Sequence, residues 1–118
     1  MASGRLGTST SLTTNTNAAV YTVPSGSYSV FNVCFCNTQT SSVTIRLAIS
    51  TSTAIPPTPA ASEWIEYDTT VAPKGVFERT GLVADASKVV VCWTSASTAA
   101  SVGSNVTANV YGIETTIA

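Results

Sequence analysis

The sequence predicts an all-β fold: an antiparallel β-sandwich, immunoglobulin-like or jelly-roll-like, with about seven strands and an extended N-terminal arm. Three observations lead there. Short runs rich in Val, Ile, Thr, Tyr and Phe recur roughly every 10–15 residues, separated by clusters of Pro, Gly, Asn, Asp and Ser. No segment repeats its apolar residues at helical spacing. Of 118 residues 44% are hydrophobic, which suits a buried core, while only 9% are charged and 16 Ser with 20 Thr supply the polar surface.

Residues 1–17 are Gly, Ser, Thr and Asn with Arg5, Leu6 and Leu12 and no period, so they are expected to form an arm outside a single domain of residues 18–118. Val20–Val23 is β-branched and aromatic and stops at the turn Pro24-Ser25-Gly26. Tyr28–Cys36 is apolar on both faces and reads as a central strand. Val43–Ile49 alternates, with Val43, Ile45, Leu47 and Ile49 on one face. The short polar link between these two strands predicts a hairpin.

The longest loop, 50–62, holds Pro56, Pro57 and Pro59, which forbid a central strand. Trp64–Val71 resumes a strand, with Trp64, Glu66 and Asp68 expected on one face and Ile65, Tyr67 and Thr69 on the other. The turn Ala72–Gly75 leads to Val76–Leu82, and a second turn at Asp85–Ser87 leads to the apolar strand Lys88–Thr94, whose Trp93 is expected in the core. A small-residue loop, 95–104, precedes the last strand, Val106–Glu114.

The absence of histidine removes the Ser-His-Asp and Cys-His nucleophile pairs and any His-ligated metal. Cys34, Cys36 and Cys92 are too few for a tetrahedral zinc site; strand spacing makes Cys34 and Cys36 a poor disulfide, so all three are expected to be small core residues. Glu66 and Asp68, two apart on a strand and about 7 Å from each other, could in principle act as a carboxylate pair. They read as surface or interface charges, so neither a catalytic residue nor a cofactor is expected. Five scattered Lys and Arg make no footprint for nucleic acid or anionic lipid, and no stretch approaches the ~18 apolar residues of a membrane span. Met1–Gly7 has no apolar run, so no secretory leader is expected and Asn105-Val106-Thr107 is not expected to be glycosylated. So little charge also leaves the sheet edges without the usual lysine guards, which points to assembly.

Several segments together resemble a known family: Gly4-Arg5-Leu6-Gly7, Val20-Tyr21-Thr22-Val23-Pro24, Glu63-Trp64-Ile65-Glu66-Tyr67-Asp68, Gly75-Val76-Phe77-Glu78-Arg79-Thr80-Gly81 and Val110-Tyr111-Gly112-Ile113-Glu114. In this order the chain, from 4 to 114, resembles small virion structural proteins of tailed bacteriophages, including those infecting cyanobacteria. The resemblance implies a non-enzymatic protein of the virion, assembled in the host cytoplasm. It points to a capsid decoration or cement protein, a homotrimer bound to the major capsid protein on the head lattice. A tail, baseplate or fibre component is the alternative. A carbohydrate-binding module is a further alternative, on the strength of Trp64 and Tyr67. Arg5, Leu6, Pro56, Pro57, Trp64, Glu66 and Tyr67 are the expected protein–protein contacts, with the arm clipping a neighbour by strand addition.

Overall fold

The computed structural model describes residues 2–13, 15–95 and 106–117. They form eight strands: β1 (Ala2–Ser11), β2 (Ala18–Thr22), β3 (Ser27–Asn37), β4 (Val43–Ser50), β5 (Trp64–Val71), β6 (Val76–Ala84), β7 (Val89–Thr94) and β8 (Val106–Thr116). A single 3₁₀ turn, Ala61–Glu63, precedes β5. Two four-stranded antiparallel sheets result, ordered β1-β8-β3-β6 and β2-β7-β4-β5. Packed face to face, they are the expected sandwich. The loop expected at 95–104 and Asn105 of the sequon lie almost wholly outside the described residues; only Ser95 falls within them.

The core is the inner faces of both sheets. Alternate residues of β3, among them Phe31, Val33 and Phe35, meet Ile45 and Leu47 of β4, Val90 and Cys92 of β7, and Val106, Ala108 and Val110 of β8. Strand β7 is buried along nearly its whole length, because the chain also covers its outer face: Ala48, Val89 and Val91 form a second apolar cluster against Trp64. Two buried polar clusters tie the layers, and a third buried group bonds within one sheet. Tyr21 of β2 donates its hydroxyl to Glu114 of β8 at 2.7 Å and shares another hydrogen bond with Ser29 of β3. Asn37, buried at the end of β3, donates to the Ser41 and Ala72 carbonyls and accepts from the Gln39 amide, so one side chain joins two turns. Thr94 of β7, also buried, donates to the Thr44 carbonyl.

Several sequence expectations are corrected here. Residues 2–11 are extended but not a free arm: β1 is an edge strand registered on β8 from Ala2↔Glu114 to Ser11↔Thr107, and Leu6 is only 2% exposed. A period-two pattern is invisible there because Gly4 and Gly7, both at positive φ, and a register shift after Leu6 interrupt it. Strands β3 and β4 are not a hairpin. They lie in different sheets, and the polar link between them carries the chain across the sandwich. Cys34 and Cys36 are not core residues but stand half-buried on the outer face of β3, while Cys92 is in the core. Trp93 is half-buried on the outer face of its sheet.

Candidate functional site

Strand β5 makes the first feature. Regular alternation would put Trp64 and Tyr67 on opposite faces. Instead the register slips twice, so that Leu47 lies opposite Glu66 and Ile45 opposite Thr69. Tyr67 and Asp68 are thereby left opposite the single residue Arg46, and Asp68 takes a positive φ of 56°. Both residues of this bulge reach Arg46: Asp68 accepts from its Nε at 2.7 Å, and the guanidinium lies 4.0 Å from the Tyr67 ring centre. Trp93 holds the same guanidinium at 3.8 Å, and Trp64 meets Tyr67 edge to face at 5.5 Å. Four residues expected on different faces thus form one aromatic–cation cluster.

The bulge also separates the two carboxylates. Glu66 turns to the open edge of the sandwich, where it pairs with Arg79 of β6 in the other sheet and accepts from Thr69 Oγ1. Asp68 stays on the outer face with Arg46. They form no carboxylate pair. Among the described residues there is no group of three or more Cys, Asp or Glu side chains placed to hold a metal ion.

The 51–63 loop lies beside this cluster. Glu63 orders it: its carboxylate accepts from the Ala60 amide at 2.8 Å, from Ser50 Oγ at 2.7 Å and from the Thr51 amide at 3.1 Å. These donors, the Ala60 amide foremost, hold the Glu63 carboxyl below its ordinary range. Pro57 is buried under the loop, and its carbonyl accepts from Asn17 Nδ2. Pro57 is therefore an internal packing residue, whereas Pro56 is exposed and the preceding Ile55 is 98% exposed.

The second feature is the outer face of the β1-β8-β3-β6 sheet, which sequence reasoning missed. The strand Tyr28–Cys36 is central in its sheet, as expected, lying between β8 and β6, but its outer side is open. Backbone register places Val83 of β6, Val30 of β3 and Ile113 of β8 in one row across three strands. They are 62%, 46% and 51% exposed. Tyr28 and Tyr111 flank the row on the same face, and Val76 lies further along β6. The next rows are Arg5–Tyr111–Asn32 and Asn109–Cys34–Glu78. Burial pushes the Cys34 thiol above its ordinary value, with Glu78 and Cys36 adding to the effect. The only advance signal was the apolar character of both faces of this strand, which told of contact without saying whether the partner was internal.

The expected contact residues therefore divide. Trp64 and Tyr67 come together on one sheet, with Glu66 at its edge and Pro56 on the adjoining loop; Arg5 stands on the other sheet, and Leu6 and Pro57 are inside. Comparison with family models, with curated proteins and with solved structures returned no match.

Proposed function

We propose that this chain is a non-enzymatic structural protein of a bacteriophage particle, a capsid cement protein that stabilises the head lattice as an oligomer through contact with the major capsid protein. The observation that carries an assembly role is the open row Val83–Val30–Ile113. Three large aliphatic side chains, in register on adjacent strands and about half exposed or more, make a contiguous apolar surface of the kind that marks interaction sites. Placement in a phage particle rests on the resemblance of the sequence segments. The aromatic–cation cluster fits the same role as a rigid, preformed plate.

The test is the composition and structure of purified particles from a phage that carries this gene. Mass spectrometry should find the chain in the particle, and cryo-electron microscopy should show the sandwich seated on the head lattice. Density at the tail, baseplate or fibres would overturn the cement role. Absence from particles would overturn the virion reading.

A further inference from the structure

Resting on that assembly reading, we infer that the outer face of the β1-β8-β3-β6 sheet binds the same face of a second copy, about a two-fold axis parallel to the strands. The argument is one of self-complementarity. The charged side chains that the register places on this face are Arg5 on β1 and Glu78 on β6, the two edges of the sheet. Neither makes an ion pair among the described residues. Three strand spacings, about 14 Å, keep them apart within one chain.

A two-fold axis running between β8 and β3 lays β1 over β6 and β8 over β3 of the second copy. Ile113 then lies over Val30, and Val83 over Ser3, so the apolar row packs on its own reverse. Tyr111 lies over Asn32. Arg5 arrives over the opposite β6 one same-face step, about 7 Å, from Glu78, within reach of a long guanidinium side chain. The pair forms twice, once at each edge, around a centre free of charge. Sheets stacked this way lie about 10 Å apart and nearly aligned, the packing already used inside each sandwich. A net charge of −1 gives little repulsion between copies.

Light scattering on the full chain separated by size should give twice the 12.1 kDa of one chain. Val30→Lys, on an open surface, should leave the circular dichroism spectrum unchanged and give a monomer. Arg5→Glu or Glu78→Lys alone should weaken the dimer roughly tenfold, and the two together should restore it. A wild-type monomer, a strict trimer, a dimer indifferent to Val30→Lys, or charge reversals that fail to rescue each other would overturn the inference. None of these outcomes touches the virion reading, which fails instead on absence of the chain from particles.

Discussion

Tyr21 reaches from β2 across the core to two residues of the other sheet, and its chemistry contributes to the alkaline limit of the fold. Burial raises its pKa to about 12 from an ordinary 10.0, and the neighbouring Glu114 carboxylate adds to the rise. The folded state thus favours the neutral phenol. Its contribution to stability is complete below about pH 10, where the unfolded chain also keeps its proton, and is lost as pH rises towards 12. Burial also raises the Cys92 thiol above its ordinary 9.0, so urea midpoints should begin to fall from about pH 9, with the Tyr21 share of the fall setting in above about pH 10. Tyr21→Phe should cost about 1–2 kcal/mol at neutral pH, because Glu114 loses a buried donor, and should flatten the alkaline fall. An alkaline limb unchanged in the variant would show that another group sets it. Neither the partners nor the shift could be read along the chain, since Glu114 lies 93 residues from Tyr21.

Strand β5 and the loop before it show what a linear pattern conveys and what it hides. The strand itself was legible from Trp64, Ile65, Tyr67 and Val71, because β-branched and aromatic residues fill a pleated surface. The two register slips were not, since a bulge is decided by the partner strand: Arg46 must be placed before Tyr67 and Asp68 can converge on it. For the same reason alternation does not reveal β1, and although the apolar faces of β3 rightly mark a central strand, they do not say which face stays open. The prolines of the loop are a plain signal, yet its order depends on Glu63, whose partners Ser50 and Thr51 lie 13 and 12 residues away along the chain. Since the folded pKa of Glu63 is lowered, its contribution is present above the ordinary carboxylate range and lost as pH falls through the folded value. Hydrogen exchange at the Ala60 and Thr51 amides should accelerate, relative to core amides, as the solution is acidified through that range. Glu63→Ala should accelerate both already at neutral pH while amides of β7 keep their protection. Equal protection in the variant would mean that the prolines alone hold the loop.

At the scale of the whole molecule the sandwich is closed differently at its two sides. Beside β5 and β6 the Glu66–Arg79 pair spans the gap between the sheets. Beside β1 and β2 closure depends on apolar packing, with Leu6 of β1 in the same cluster as Val20 and Tyr21 of β2. Gly7 makes this approach possible: a Cβ there would lie 2.6 Å from the Val20 carbonyl oxygen, and its φ of +68° suits only glycine well. Strand β1 is thus part of the fold and not an appendage available to a neighbour. Leu6→Ala should cost about 3 kcal/mol, a fall in melting temperature of roughly 12 °C for a domain of this size. The two readings of the N-terminal segment diverge in how that fall depends on concentration. With Leu6 packed in its own chain, the difference between wild type and variant is the same in dilute and concentrated solution. An arm exchanged between copies would make the difference vary with concentration, and a dangling arm would make it vanish. Differential scanning calorimetry over a wide concentration range separates the three, and either of the last two results would remove β1 from the sandwich.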